Sequence, residues 1–121
     1  MSIIKTVIFL SKFIDSIKLR FFRIFSNRDG EYQEKYHNGQ LRTKGYYKNG
    51  VKEDYWTSYY ETGTLKEEGK YQEGLKEGKW TYYFPNGGIE NIESNKNGKV
   101  DGEFQSYHEN GKKAAVGQYR N

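Results

Sequence analysis

The sequence repeats itself every 24 residues from Asp29 to its last residue. Four ring-rich windows align at this spacing without a gap: DGEYQEKYHNG (29–39), EDYWTSYYETG (53–63), EGKWTYYFPNG (77–87) and DGEFQSYHENG (101–111). A fixed period in this range indicates an array of small units, each of which contacts mainly its neighbours. The repeats are predicted to span residues 29–52, 53–76, 77–100 and 101–121, after a separate N-terminal segment of residues 1–28.

Apolar and polar side chains alternate within each repeat. Trp56 and Tyr60 share one parity, and Tyr55 and Tyr59 share the other. A period of two with many rings favours β-strands, and the Asn-Gly or Thr-Gly that follows is a hairpin signal. The sequence therefore predicts a mainly β fold, a single elongated antiparallel meander of repeated β-hairpins. Each hairpin is expected to have a two-residue turn with positive φ at both residues.

Counting outward from such a turn predicts which residues face each other. Trp56 is expected opposite Gly69, and Tyr60 opposite Leu65. The same count gives the pairs Tyr32–Gly45, Tyr36–Leu41 and Phe104–Gly117. A large ring opposite a glycine covers bare backbone, so the row of Tyr32, Trp56, Trp80 and Phe104 is predicted to form a one-sided core.

The last two repeats depart from this pattern. Glu93 stands where the other repeats have glycine, and Asn95 replaces the tyrosine found at 47, 71 and 119. In the fourth repeat, His108 and Lys113 replace apolar residues. The core is therefore expected to be weakest in this half of the array.

The stretches DYWTSYYETGTLKEEGKYQEG (54–74) and GKWTYYFPNG (78–87) resemble MORN repeats. They are most similar to the bacterial variant of the repeat that is often named antitoxin-like. The resemblance implies a non-enzymatic scaffold that binds proteins or membrane lipids, and its naming implies toxin neutralisation as an alternative. Choline- and glucan-binding cell-wall repeats are a further alternative, but they usually carry a Trp where this chain has Tyr47, Tyr71 and Asn95.

The N-terminal segment follows a different pattern. Its apolar residues recur at spacings of four and three, which predicts an amphipathic α-helix: Ile3, Val7, Leu10, Ile14, Ile17, Phe21 and Ile24. The segment carries six Lys or Arg and one Asp, whereas the repeats carry fourteen basic and fifteen acidic residues. The basic charge of the chain therefore belongs to this segment.

Four interpretations of this segment are open: a cap on the sheet, a helix in the membrane interface, a transmembrane helix and a cleaved signal peptide, of which the first two are favoured. It caps the sheet, or it lies in the interface of an anionic membrane. In the second case the predicted membrane contacts are Lys18, Arg20, Phe21, Phe22 and Arg23. Charged residues interrupt any transmembrane span, and a small-residue cleavage site is missing. We therefore expect a cytoplasmic protein, peripheral at the membrane in the second interpretation, rather than a secreted one.

Chemistry that would indicate an enzyme is not apparent. The chain has no Cys and only two His, which lie in different repeats, so neither a metal site nor a cofactor is expected. The recurring acids Asp29, Glu53, Glu77 and Asp101 are interpreted as turn chemistry. Nucleic acid is not an expected partner, because the repeats carry a slight excess of acidic residues.

The face of the sheet opposite the Trp residues is the predicted binding face. It carries Tyr59, Tyr83 and Tyr107, with Lys35 at the corresponding position of the first repeat. Rings beside charges are suited to contact another protein, here a scaffold partner or, in the antitoxin interpretation, a toxin. The alternative is that these tyrosines only reflect the preference of rings for strands.

Overall fold

The computed structural model describes residues 28–120, which form one eight-stranded antiparallel sheet. The strands are β1 (Gly30–Lys35), β2 (Leu41–Lys48), β3 (Val51–Tyr59), β4 (Leu65–Gln72), β5 (Leu75–Tyr83), β6 (Ile89–Lys96), β7 (Lys99–Tyr107) and β8 (Lys113–Tyr119). Each strand pairs with the next one in the chain, so the predicted meander is confirmed. The predicted helix of the N-terminal segment lies outside the described residues. Within residues 28–120, no helix is long and apolar enough to span a membrane.

The predicted pairs of rings and glycines are confirmed. Trp56 pairs with Gly69, and the equivalent pairs Tyr32–Gly45 and Phe104–Gly117 form at the two ends of the sheet. Trp56 and Trp80 are 3% and 1% exposed, and they are the two buried hydrophobic residues of the described part. The core therefore lies on one side of the sheet, which we call the Trp face; the other side is called the opposite face.

The predicted two-residue hairpin turn is wrong. Tyr60 N donates to Thr64 O, and Gly63 N donates to Tyr60 O, both at 2.8 Å. The turn therefore has three residues, and among them only Gly63 has a positive φ, of 94°. The same hydrogen bonds occur in the other three hairpins. This geometry is a type I turn followed by a left-handed glycine.

The longer turn changes the pairing next to it. Leu65 pairs with Tyr59 rather than Tyr60, and Leu41 pairs with Lys35 rather than Tyr36. A β-bulge between Ser58 and Tyr59 then takes up the extra residue. Because the bulge compensates for the third turn residue, the pairs farther from the turn agree with the prediction.

Two-residue turns occur between the hairpins instead. These connecting turns are Asn49–Gly50, Glu73–Gly74 and Asn97–Gly98, and both residues of each have positive φ. The flanking residues pair directly, as Gln72 does with Leu75. This is the type I′ geometry that suits the twist of two adjacent strands. The hairpin turns and the connecting turns therefore lie at opposite ends of the strands.

Candidate binding surfaces of the repeat array

Each Trp covers the repeat that precedes it. Lys44 pairs with Thr57, so the next residues along, Gly45 and Trp56, lie side by side. A Cβ atom on Gly45 would overlap the indole ring of Trp56. Asp54, with a φ of 60°, forms part of the bulge that permits this register. The sequence predicted Gly69 as the glycine opposite Trp56, but the ring itself covers Gly45 on the other side.

The indole nitrogens add a hydrogen bond to the same junction. Trp56 Nε1 donates to Tyr46 O at 3.1 Å and to Glu53 O at 3.2 Å. Trp80 repeats the arrangement: its Nε1 donates to Lys70 O at 3.0 Å, and its ring occupies the space over Gly69. Since a buried indole needs an acceptor, these bonds fix the side chain against the preceding repeat.

A continuous series of ring contacts runs along the Trp face. Tyr47 meets Trp56 edge-on with ring centres 5.0 Å apart, and Tyr71 meets Trp80 in the same way at 5.0 Å. Trp56 and Tyr71 are 6.1 Å apart, which joins the two pairs. Such contacts contribute roughly 0.5–1.5 kcal/mol each beyond area burial. They hold the first three repeats together.

Cations lie over these rings at the 24-residue spacing. Lys52 Nζ is 4.5 Å from the centre of the Trp56 ring, and Lys76 Nζ is 4.2 Å from that of Trp80. The Arg28 guanidinium is 5.1 Å from the ring of Tyr32. This series was not predicted, although the sequence has a basic residue four positions before each of these rings. In the fourth repeat that position holds Val100.

In the third repeat, Glu93 and Asn95 replace the glycine and the tyrosine of the other repeats, and they form a polar cluster. The Tyr82 hydroxyl donates to Glu93 Oε1 at 2.8 Å, and Lys76 Nζ donates to the Tyr82 oxygen at 2.7 Å. The amides of Asn91 and Asn95 donate to Glu93 at 3.2 and 3.3 Å. Burial, together with the Glu93 carboxylate, raises the pKa of Tyr82. The hydroxyl therefore remains a proton donor, which suits a structural bond and not a general base.

Tyrosine and asparagine side chains join the hairpin turns of adjacent repeats. Tyr36 OH donates to Tyr59 O, and Tyr60 OH donates to Tyr83 O, each at 2.6 Å. Asn38 Nδ2 likewise donates to the carbonyl of Glu61 at 3.0 Å. These bonds reach a backbone carbonyl 23 residues later and fix the spacing of the turns.

The recurring acids act on connecting turns 20 residues farther along the chain, whereas the turn interpretation had assigned them to turns next to the acids themselves. The carboxylates of Asp29, Glu53 and Glu77 accept hydrogen bonds from the backbone N–H 20 residues later, at 2.6, 2.7 and 3.0 Å. Each recipient is the first residue of a connecting turn, where φ is positive. The acids thus satisfy a donor at a backbone conformation that most side chains disfavour.

The opposite face carries the tyrosines of the predicted binding site. Tyr59, Tyr83 and Tyr107 are all half-buried. Tyr83 OH donates to Glu68 Oε1 at 2.7 Å, and burial, with that hydrogen bond and charge, raises the pKa of Tyr83 to about 12. Tyr107 OH donates to Gln105 Oε1 at 2.7 Å. The hydroxyls of Tyr83 and Tyr107 are thus held within the sheet, and the rings form its surface.

Two further tyrosines extend this surface. Tyr55 alternates with buried Trp56 and is 73% exposed, and Tyr46 alternates with Tyr47 and is also exposed. The alternation in the sequence predicted the correct face for Tyr55, but no role was predicted for it. Lys35 is exposed at the end of β1. The predicted membrane contacts Lys18, Arg20, Phe21, Phe22 and Arg23 lie outside the described residues.

Two shallow clefts lie at the hairpin turns of the first two repeats. Their volumes are about 240 and 170 Å³, and both are lined by Tyr36 and Arg42. Within residues 28–120, no three His, Cys, Asp or Glu side chains are grouped to hold a metal ion. Every buried side-chain nitrogen or oxygen in this part of the chain has a hydrogen-bond partner. The polar groups described above are therefore already used within the sheet.

Comparison with protein families gives one match, repeated four times. The family model described as MORN repeat variant matches residues 28–49, 55–73, 76–97 and 100–121, which is more than half of the chain. Repeats of this kind are generally non-catalytic binding repeats. The search of curated proteins found no significant match.

Proposed function

Because the chain belongs to the MORN repeat variant family, we propose that it is a non-enzymatic scaffold whose sheet binds a protein partner. One observation carries this proposal: residues 28–120 form a single layer whose opposite face presents Tyr46, Tyr55, Tyr59, Tyr83 and Tyr107. Tyrosine is enriched in protein interfaces because it combines a large ring with a polar end.

The bonding of the polar groups favours binding over catalysis. The Tyr82 and Tyr83 hydroxyls donate to carboxylates and have raised pKa values. The acids of the connecting turns accept from backbone N–H groups. An activated nucleophile loses its proton readily, whereas the raised pKa values of Tyr82 and Tyr83 keep these hydroxyls protonated.

Substitutions on the opposite face test the proposed interface. A tagged full-length chain would be used to recover its partner, and the affinity of the purified pair would then be measured by calorimetry. The combination of Tyr55→Ser, Tyr59→Ser and Tyr107→Ser is expected to weaken binding at least tenfold. Tyr119→Ser, at an exposed tyrosine of the Trp face, is the matched control. Equal affinity of the triple variant and the wild type would refute an interface on this face.

A membrane tether is proposed as a second property, because the basic charge is concentrated in residues 1–28. Flotation with vesicles containing phosphatidylserine is expected for the full chain and not with neutral vesicles. Lys18→Gln, Arg20→Gln and Arg23→Gln together should abolish flotation, since each cation near an anionic surface contributes about 1 kcal/mol. The matched control neutralises three exposed cations of the sheet, Lys44, Lys70 and Lys79. If both triple variants float equally, the segment is not a tether. With a working tether, the proposed location of the protein is the cytoplasm, at the periphery of the membrane.

Toxin neutralisation is the proposed alternative for the partner, and it rests on the resemblance to antitoxin-like members of the family. Co-expression with a toxin encoded next to this chain is expected to restore growth. Replacing Tyr83 and Tyr107 together by Ala should remove the rescue, because both rings lie on the proposed interface. Rescue by the double variant at the wild-type level would exclude this face as the toxin-binding site.

A further inference from the structure

Three lysines on the opposite face of the sheet have no acidic partner. Lys44, Lys70 and Lys79 lie on β2, β4 and β5, and all three are exposed. Each is next to a residue of the Trp face in the chain, so alternation places it on the opposite face. Within residues 28–120 one ion pair forms, between Arg42 Nη1 and Glu34 Oε1 at 3.7 Å. The three ammonium groups therefore have no carboxylate of this part of the chain as an ion-pair partner.

Two acids that lie beside these lysines in the sheet bond to other groups. Glu77 pairs with Lys70 across β4 and β5, but its Oε2 accepts from the backbone N–H of Asn97 at 3.0 Å. Glu68 precedes Lys70 by two residues, and its Oε1 accepts from the Tyr83 hydroxyl at 2.7 Å. Because both carboxylates accept from donors of the sheet, neither forms an ion pair with Lys70.

Two exposed tyrosine rings lie among these lysines. Tyr55 pairs with Lys70 and is 73% exposed. Tyr46 follows Lys44 by two residues on the same strand face and is also exposed. Exposed rings beside unpaired cations are suited to a protein interface, where aromatic residues anchor the partner and charges select it. We call Lys44, Tyr46, Tyr55, Lys70 and Lys79 the basic patch.

We propose that the basic patch recognises an acidic segment of a protein partner. Asp or Glu side chains of this segment meet Lys44, Lys70 and Lys79, and one of its apolar or aromatic side chains covers the Tyr55 ring. The inference rests on the proposed scaffold function and adds the chemistry of the partner. Neighbouring strands are about 4.8 Å apart, so a segment that crosses β2 to β5 spans about 14 Å and reaches all three lysines. Opposite charges placed in this way give specificity and faster association.

The distribution of charge favours an acidic segment over other occupants of the patch. Residues 1–28 carry six Lys or Arg and one Asp, so like charges oppose docking of this segment on the patch. A membrane surface or a nucleic acid presents negative charge over a broad area. It would also meet the exposed acids Glu31 and Glu103, which lie on the same face toward the two ends of the sheet. A short acidic segment avoids both of these acids.

A titration with peptides of defined charge tests the proposal. The isotope-labelled full-length chain is titrated with a synthetic peptide that alternates Glu with Tyr, and separately with a peptide in which Gln replaces each Glu. Backbone amide shifts are expected to change in the basic patch, and the Glu peptide should bind about tenfold more tightly than the Gln peptide. Raising the salt concentration from about 0.05 to about 0.5 M should remove most of this difference, because exposed charges are then screened.

Neutralising the patch separates binding from folding. Lys44→Gln, Lys70→Gln and Lys79→Gln together should weaken binding of the Glu peptide about tenfold. The midpoint of thermal unfolding should not fall, since no ion pair within residues 28–120 is lost. The matched control makes the same change at three exposed lysines of β6, β7 and β8, and it should bind as the wild type does: Lys96, Lys99 and Lys113.

Several outcomes would overturn the acidic partner. These are equal affinity for the two peptides, no shift with either peptide, or equal loss of binding in the patch variant and its control. Loss of flotation with phosphatidylserine vesicles in the patch variant would assign the lysines to a membrane instead.

The scaffold proposal is judged separately, with the recovered partner. If the triple variant of Tyr55, Tyr59 and Tyr107 binds that partner weakly while the patch variant keeps wild-type affinity, the interface stands and its acidic chemistry is refuted. If the tyrosine variant itself binds the partner as tightly as the wild type, the interface on this face is refuted as well.

Discussion

At the first junction between repeats, Trp56 covers Gly45 and donates to the Tyr46 carbonyl, whereas at the last junction Phe104 pairs with Glu93. The first junction also has Lys52 over the Trp56 ring and a Tyr36 hydroxyl bonded to the next hairpin. The last has Val100, and the hydroxyl position is taken by Phe84. It keeps one bond of this kind, from Asn86 Nδ2 to Glu109 O at 3.3 Å.

The backbone register is nearly the same at the two junctions. Strands β6 and β7 keep the pairing of β2 and β3 on both sides of the irregularity, which lies between Glu93 and Asn95 instead of between Lys44 and Tyr46, one residue later in the repeat. The register is therefore set by turns and bulges, and the side chains decide how strongly each junction is held. In an array whose repeats interact mainly with their neighbours, unequal junctions imply that the last one opens first.

The largest effect is expected from crowding a glycine at a strong junction. A Cβ on Gly69 would overlap the Trp80 indole, which is fully buried and cannot move aside. Gly69→Ala should lower the free energy of unfolding by about 3 kcal/mol. Gly117→Ala is the counterpart in the last repeat, where half-buried Phe104 has room to shift, and should cost about 1 kcal/mol. Urea unfolding followed by tryptophan fluorescence gives both values, and equal losses would contradict the difference between junctions.

An intermediate effect is expected at the polar cluster. Glu93→Ala would leave the Tyr82 hydroxyl and the buried Asn95 amide without their acceptor. Unsatisfied buried donors of this kind cost about 2 kcal/mol in total. Glu103→Ala, at an exposed position of β7, should change the free energy of unfolding little. If thermal unfolding shows the same midpoint for both variants, the cluster does not stabilise the third repeat.

A smaller effect is expected from the hydroxyls at the hairpin turns. Tyr60→Phe removes the bond to Tyr83 O and should cost about 1 kcal/mol. Phe84→Tyr introduces a hydroxyl at the equivalent place of the last junction and should gain up to about 1 kcal/mol by reaching the Tyr107 carbonyl. Hydrogen exchange of the backbone amides of β7 should slow in this variant. Unchanged exchange would mean that the missing hydroxyl does not explain the weaker junction.

The smallest expected effect is on the pH dependence of the free energy of unfolding. Burial and Glu68 raise the pKa of Tyr83 from 10.0 to about 12, so folding favours the protonated hydroxyl. This contribution to stability is fully present below about pH 10 and is lost as the pH rises to about 12. Tyr83→Phe should therefore lose stability less steeply across that interval, as measured by urea unfolding at a series of pH values. Parallel curves for the two proteins would show that Tyr83 does not titrate in this way.

Much of the fold follows from the period. A constant spacing of rings and glycines fixes which side chains share a face, and the pairs Trp56–Gly69 and Phe104–Gly117 result from it. The turn type could not be read in the same way. A two-residue turn, and a three-residue turn with a bulge, give the same register beyond Ser58. Counting from a two-residue turn therefore predicted the correct pairs, although the turn has three residues.

The binding surfaces were less accessible to sequence reasoning. The alternation of side chains gave the parity of Tyr59, Tyr83 and Tyr107, but not the Glu68 and Gln105 partners of the hydroxyls of Tyr83 and Tyr107. The cations were overlooked because Lys52 and Lys76 were counted only as charge, and their alkyl stems also pack on rings. Likewise, the bulge at Asp54 decides which glycine Trp56 covers, and no spacing rule reports it.

Each Trp packs against the repeat that precedes it in the chain, and this has a consequence for protein synthesis. A ribosome releases the repeats in order from the N-terminus. When Trp56 emerges, Gly45 and the Tyr46 carbonyl have already been made, and Trp80 later meets a finished Gly69 in the same way. Each Trp therefore finds the glycine and the carbonyl of the preceding repeat already translated, so this sheet is suited to grow one hairpin at a time while it is being synthesised.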